Sequence, residues 1–122
     1  MMAVPTPTEI RADRAERCLF VTFDDGSRCA LPAELLRVES PSAEVQGHGP
    51  HDRRTVPGKR HVGFRGVEPV GHYAVRILFD DGHDTGIFSW EYLHRLGQEQ
   101  DRRWRDYLAA LGAQGLSRDP QA

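Results

Sequence analysis

Cysteine is scarce in this chain, and long hydrophobic runs do not occur. The 122 residues include two cysteines, too few for a disulfide framework. No apolar run approaches the roughly 18 residues that a membrane-spanning helix requires. The opening residues, Met1 to Thr8, lack a basic segment followed by a hydrophobic one, so no secretory signal is predicted. We therefore expect a cytoplasmic protein that does not associate with a membrane.

Excess charge of either sign is also missing. Sixteen basic and eighteen acidic residues give a net charge of −2, which argues against a dedicated nucleic-acid binder. With 39% apolar and 28% charged residues, the composition is that of an ordinary globular protein. The length corresponds to one domain of modest core size.

An internal repeat is the most informative feature that is present. Residues 19–27 (LFVTFDDGS) are matched by residues 75–83 (VRILFDDGH), and each copy continues into a short apolar strand and a helix start. Asp-Asp-Gly between apolar runs indicates a hairpin, because glycine tolerates the left-handed conformation that closes the turn. The chain therefore contains two hairpin–helix units, and such a duplication favours packing around a pseudo-two-fold axis.

The hairpin register follows from the alternation of apolar residues. In the first unit it predicts one buried face that includes Val21 and Cys29. Cys18 then lies three positions out of register with Cys29, about 10 Å away, which exceeds the limit of about 7 Å for bridged Cα atoms. Both thiols are expected to be reduced packing residues. In the second unit the register pairs Phe79 with His83 and Val75 with Ile87.

The remaining segments complete an α+β fold, in which small antiparallel β-sheets from two hairpin–helix units are covered by about three helices. Helices are expected after Pro32, after Ser89 and around Trp104. Residues 8–112 form the single domain, and residues 1–7 and 113–122 are expected to be flexible. Residues 39–61 hold three prolines, three glycines and three histidines, which is typical of a long exposed loop and often of function.

Histidines raise the question of a metal site. His48, His51 and His61 share the 39–61 segment, and imidazole is a competent ligand for zinc or iron. Their spacing matches no dedicated site, so solvated loop histidines are the alternative. His83 points to the same face as Phe79, where it is either a hydrogen-bonded core residue or one ligand of a site.

Other candidate groups have simpler interpretations. The pairs Asp24-Asp25 and Asp80-Asp81 fit turn chemistry, because an aspartate side chain bonds nearby backbone amides. No nucleophile elbow, catalytic triad or phosphate-binding loop is recognisable, so no enzymatic activity is predicted. The basic residues Arg53, Arg54, Lys59 and Arg60 form either a solvated face or a docking surface for an acidic partner.

A family resemblance rests on a combination of segments: residues 8–10 (TEI), 23–26 (FDDG), 31–38 (LPAELLRV), 40–49 (SPSAEVQGHG), 79–83 (FDDGH) and 89–93 (SWEYL). Together they resemble the gamma-butyrobetaine-hydroxylase-like N-terminal domain family over roughly residues 6–112. Short bacterial members of that family are single-domain proteins of unknown function.

The resemblance implies a zinc site, but three of its four ligands are missing from this chain. In the hydroxylases the domain binds structural zinc through three cysteines and a distant histidine. Aligning Leu36-Arg37 with that motif places Ser40, Ser42 and Val45 at the cysteine positions and His83 at the histidine position. Serine is a poor zinc ligand and valine is none, so a tetrahedral zinc site is not expected from these positions.

The resemblance also bears on partners. The domain precedes a 2-oxoglutarate oxygenase domain in the hydroxylases, and it is fused to P-loop ATPases that deliver iron–sulfur clusters. The first hypothesis is therefore a non-catalytic interaction module that docks through residues 39–61 and their basic stretch on an unidentified protein partner linked to one of these systems. Two other hypotheses remain: an iron- or zinc-binding accessory domain that uses His83 with His48, His51 or His61, and an enzyme without a recognisable constellation.

Overall fold

The computed structural model describes residues 4–46 and 54–120. It contains two antiparallel sheets of three strands each, in the orders β1-β2-β3 and β4-β5-β6. The elements are β1 (Pro7–Asp13), β2 (Cys18–Phe23), β3 (Arg28–Pro32), α1 (Ala33–Val38), α2 (Ala43–Gln46), β4 (Phe64–Val70), β5 (Ala74–Phe79), β6 (Ile87–Ser89), α3 (Trp90–Gln98) and α4 (Gln100–Ala113). Each unit is thus three strands followed by a helix, which confirms the α+β prediction. Helix α2 is an additional short element.

The two Asp-Asp-Gly turns have the same hydrogen bonds. The amide of Thr6 donates to Asp24 (3.1 Å) in the first unit, and the amide of Gly63 donates to Asp80 (3.0 Å) in the second. The following aspartate of each pair accepts a backbone amide two residues ahead. Gly26 and Gly82 adopt φ of 87° and 92°, which closes both turns. The interpretation of both aspartate pairs as turn residues is confirmed.

The predicted register of the first hairpin is confirmed. Val21 lies opposite Cys29, and Cys18 lies opposite Pro32. The cysteines are therefore three positions apart and on opposite faces of the sheet, and both thiols are free. Burial raises the pKa of the Cys29 thiol to about 11, which makes it a poor nucleophile at neutral pH.

The predicted register of the second hairpin is wrong by one residue beyond the turn. Phe79 does pair with His83, but Val75 lies opposite Phe88 rather than Ile87. An extra residue between His83 and Gly86 shifts the strand, so the amide of Ile77 donates to the Gly86 carbonyl. As a result Phe88 is fully buried and Ile87 is 45% exposed.

One main core joins the two sheets and the helices. Ser89 caps α3, accepting a hydrogen bond from the Tyr92 amide (3.1 Å) as predicted. A smaller cluster forms where α4 meets Val38 through Tyr107 and Leu111. The fully buried core side chains include Leu19, Leu31, Leu36, Ile77, Phe79, Phe88, Leu93 and Leu96.

Three regions that were expected to be irregular make contacts with the rest of the domain. Residues 39–46, assigned to a long exposed loop, contain α2 and the buried side chains of Ser40 and Val45. The segment 1–7 contributes Thr6 and Pro7 to the first sheet. Residues 113–120, expected to be a flexible tail, pack back on the domain, because Arg118 reaches Glu34. Among the described residues, no helix has the length and apolar character to cross a membrane.

Candidate functional site

A buried polar cluster lies between the two units, and we call Ser40, Ser42 and His83 the hydroxyl–imidazole cluster. His83 Nε2 is 3.0 Å from Ser40 Oγ and 3.2 Å from Ser42 Oγ. Ser40 is 0% exposed, Ser42 is 8% exposed and His83 is 6% exposed. His83 follows the turn of the second unit, whereas both serines follow α1 of the first. The cluster therefore joins the two repeats inside the protein.

Local structure explains why the serines reach His83. Helix α1 ends at Val38, and the Gln46 side chain of α2 donates to the Ser40 carbonyl (3.0 Å), which folds residues 39–46 inward. Gly86 permits the close approach, because a Cβ atom added there would lie 2.5 Å from Ser40 Oγ. Gly86, which directly precedes β6, therefore leaves the space that Ser40 occupies.

Asp81 forms the charged rim of this cluster. Its carboxylate accepts from the Arg37 guanidinium (2.8 Å), the Lys59 ammonium (2.7 Å) and the His83 backbone amide (3.0 Å). Burial alone would raise the pKa of Asp81, but hydrogen bonds from Lys59, from the His83 amide and from Arg37 outweigh it and lower the pKa to about 2. Asp81 is therefore ionised at all physiological pH values.

Protonation of Asp81 should destabilise the protein in acid. The pKa is about 2 in the folded state and about 3.9 in the unfolded state, so this stabilisation is complete above about pH 5 and lost as the pH falls towards 2. Since solvent screens the pair, we expect the contribution to be about 1 kcal/mol. Urea unfolding at pH 7 and pH 3 should show a smaller pH dependence for Asp81→Asn than for the wild type. An identical pH dependence in the variant would contradict this assignment.

Contacts between the units are reciprocal, as a pseudo-two-fold arrangement requires. Arg37 of α1 binds Asp81 in the turn of the second unit, and His94 of α3 lies 3.1 Å from Asp25 in the turn of the first. Ser27 occupies the position in the first turn that His83 occupies in the second. The first turn therefore has no histidine at the position that His83 occupies in the hydroxyl–imidazole cluster.

The donor atoms around His83 do not fit a structural zinc ion. Two neutral hydroxyls and one imidazole offer no thiolate or carboxylate, and buried Val45 offers no donor. Within residues 4–46 and 54–120, no group of three or more histidine, cysteine or acidic side chains could hold a metal. His61 is exposed, and His48 and His51 lie outside the described residues. A site combining His83 with the loop histidines remains a prediction.

The predicted basic docking residues lie in different surroundings. Lys59 is bound to Asp81, and Arg60 is paired with Asp119. Arg54 is exposed and forms no ion pair with any residue that the structure describes. Arg53 lies outside the described residues. Of the basic positions that can be located, Arg54 is thus the one available for a partner.

Arg54 lines a cleft that sequence reasoning missed. The cleft has a volume of about 450 Å³ and lies between residues 54–55 and α4. Arg102 and Arg103 approach it from α4. Its lining residues are Val38, Glu39, Arg54, Thr55, Arg102, Arg103, Asp106, Tyr107 and Ala110. A pattern within one helix could not show that α4 meets the 54–55 segment.

Comparison with known proteins identifies the family. The family model for the gamma-butyrobetaine hydroxylase-like N-terminal domain matches residues 10–94. The chain belongs to this family. Ser40, Ser42 and His83 are three of the four positions that the sequence resemblance aligned with zinc ligands, and in this family member they form a hydrogen-bonded cluster.

Solved structures of similar proteins agree with this assignment. A solution NMR structure of a protein with 47% sequence identity has a TM-score of 0.84, and the match covers 98% of this chain and 94% of the other chain. A second NMR structure has 44% identity and a TM-score of 0.83, covering 100% and 93%. A crystal structure from Acidithiobacillus ferrooxidans, of a DUF971 family protein with unknown function, has 47% identity and a TM-score of 0.63, covering 75% and 92%. No curated protein matches the chain.

Proposed function

We propose that this chain is a cytoplasmic, non-catalytic protein-interaction module that binds an acidic segment of a partner in the cleft between residues 54–55 and α4. The observation that carries the proposal is the position of Arg54. It is exposed at the cleft, and it makes no ion pair with a described residue. A carboxylate of a partner would therefore gain a charge-assisted hydrogen bond without breaking one inside the protein.

The charges around Arg54 support an acidic partner. Arg103 is held by Glu39 and Glu99, and Arg102 is held by Glu99 and Asp106. These pairs fix the guanidinium groups beside the cleft. Glu39, Glu99 and Asp106 neutralise Arg102 and Arg103, so Arg54 is the cation of the cleft that no described carboxylate pairs with. Complementary charge of this kind accelerates association and selects the partner.

The same structure supports a role without catalysis. The hydroxyl–imidazole cluster is the nearest approach to a serine–histidine arrangement, but its residues are at most 8% exposed. A nucleophile must reach its substrate, and these hydroxyls face the interior. Family context supplies the partner class in this proposal: a protein of iron–sulfur cluster assembly or a 2-oxoglutarate oxygenase.

Reversing the charge of Arg54 tests the proposed surface. We expect Arg54→Glu to weaken partner binding at least about tenfold, because the new carboxylate repels the acidic segment. Partners would be captured from an extract of the source organism, identified by mass spectrometry, and measured with purified components by calorimetry. Arg28→Glu is a matched control, since Arg28 is exposed beside a different cavity. Unchanged affinity in Arg54→Glu, or an equal loss in Arg28→Glu, would refute the surface.

A further inference from the structure

We propose that Glu34 and Trp104, on the wall of a pocket between α1 and α4, form an arginine-binding site that Arg118 occupies within the chain and that an arginine of a partner segment occupies in its place. We call residues 114–120 the strap. The pocket has a volume of about 270 Å³ and is separate from the cleft of Arg54. Besides Arg118 it is lined by Pro32, Glu34, Leu35, Gln100, Asp101 and Trp104.

The contacts of Arg118 define the ligand chemistry. Its Nε and Nη2 atoms donate to the two carboxylate oxygens of Glu34 at 2.9 and 2.7 Å, which is a bidentate arrangement. The guanidinium carbon also lies 5.0 Å from the centre of the Trp104 ring. A planar guanidinium satisfies both contacts at once, whereas a lysine ammonium provides only a point charge. The pocket therefore recognises arginine.

Glu34 gives the pocket its requirement for a cation. Its side chain is 7% exposed, and Arg118 is its ion-pair partner among the described residues. A buried carboxylate is unfavourable without a partner, so removal of Arg118 leaves a site that favours binding of another guanidinium. Asp101 adds a second acidic group to the lining.

The strap is attached in a way that allows exchange. The amides of Gly58 and Arg60 donate to the carbonyls of Ser117 and Arg118, at 2.9 and 3.0 Å, as they would to any extended segment. Leu116 anchors the strap at the small core cluster, and Asp119 pairs with Arg60 at the surface. Ser117, Asp119 and Pro120 are exposed, and short exposed stretches of this kind open at low cost. We therefore assign the ligand class as an extended peptide with one arginine, for which the strap is a built-in competitor.

Peptide binding to the full chain tests this inference. The probe is a synthetic peptide with the sequence of residues 116–120 (LSRDP), and binding is followed by the NMR shift of the Trp104 indole N–H. A short tether corresponds to an effective concentration in the millimolar range, so the strap outcompetes the peptide in the wild type. Arg118→Ala should bind the peptide at least about tenfold more tightly than the wild type. Arg28→Ala, at an exposed position of β3 beside a different cavity, leaves Arg118 on Glu34 and should behave like the wild type.

Further variants establish specificity. Replacing the peptide arginine by lysine, or adding Glu34→Gln to Arg118→Ala, should abolish the gain. Equal affinity for wild type and Arg118→Ala, no binding to the variant, or equal binding of the lysine peptide would overturn the proposal. If Arg118→Ala does not fold, methylguanidinium is titrated into the wild type. It should displace the Arg118 side chain from Glu34 and so change the chemical shift of the Arg118 Nε–H. The titration extends to on the order of 100 mM, about 100-fold above the effective concentration of the strap. An unchanged shift over this range would refute exchange.

Discussion

Replacing Phe88 by alanine is expected to lower the free energy of unfolding by about 3–5 kcal/mol, because a fully buried aromatic ring leaves a cavity. The neighbouring substitution Ile87→Ala should change it by less than about 1 kcal/mol, since Ile87 is 45% exposed on the outer face. The comparison tests the register shift that the extra residue between His83 and Gly86 produces. This shift places Phe88 rather than Ile87 in the core. Urea unfolding followed by circular dichroism measures both values.

The first hairpin supplies the matched control for this experiment. Leu31 is fully buried opposite Leu19, and it corresponds to Phe88 opposite Val75 in the second unit. Leu31→Ala should cost about 2–5 kcal/mol. If Ile87→Ala were the more damaging member of its pair while Leu31→Ala behaved as expected, the uninterrupted register would be correct and the shifted one wrong.

The two hairpins show how far the pattern of apolar residues determines a register. In the first, Cys29 and Leu31 alternate with Arg28 and Ala30, so one face is defined. In the second, Ile87 and Phe88 are adjacent and equally apolar, so alternation cannot select between them. Gly86 was the available signal, because glycine inside a strand often marks a bulge or a close backbone contact. Gly86 lies close to the Ser40 side chain, so a close contact is one reason for glycine at this position.

The candidate sites depend on contacts between segments that are far apart in the sequence. Such contacts could not be predicted from the sequence, because they depend on how the two units pack. The orientation of His83 followed from its pairing with Phe79 and was predicted. Ser40 and Ser42 come from the other unit, so their meeting with His83 depends on how the repeats pack. The composition of residues 39–46 is typical of a loop, although Ser40, Ser42 and Val45 are buried. Likewise Lys59 and Arg60 look like free surface cations in the sequence, but Asp81 and Asp119 neutralise them.

Replacing His83 by alanine is the second substitution with a large expected effect, a loss of about 2–5 kcal/mol in the free energy of unfolding. The substitution removes the imidazole that contacts the hydroxyls of Ser40 and Ser42, and both hydroxyls are buried. The two hydroxyls still lie 3.3 Å apart and can bond to each other, so one of them is left without an acceptor. A buried hydroxyl without its partner costs about 1–3 kcal/mol, and the missing ring leaves a cavity as well. Urea unfolding at pH 7 gives the value directly.

A double-mutant cycle separates the hydrogen bonds from the cavity. In a Ser40→Ala, Ser42→Ala background the hydroxyls are absent, so His83→Ala should cost at least about 1 kcal/mol less than in the wild type. An unchanged cost would mean that the cluster contributes no hydrogen-bond stabilisation.

A chelator tests the metal hypothesis. If His83 and loop histidines held iron or zinc, a chelator would destabilise the wild type, because a metal bound only to the folded state stabilises that state. If the hydroxyl–imidazole cluster stabilises the junction instead, the wild type unfolds at the same urea concentration with and without chelator, while His83→Ala remains destabilised in both.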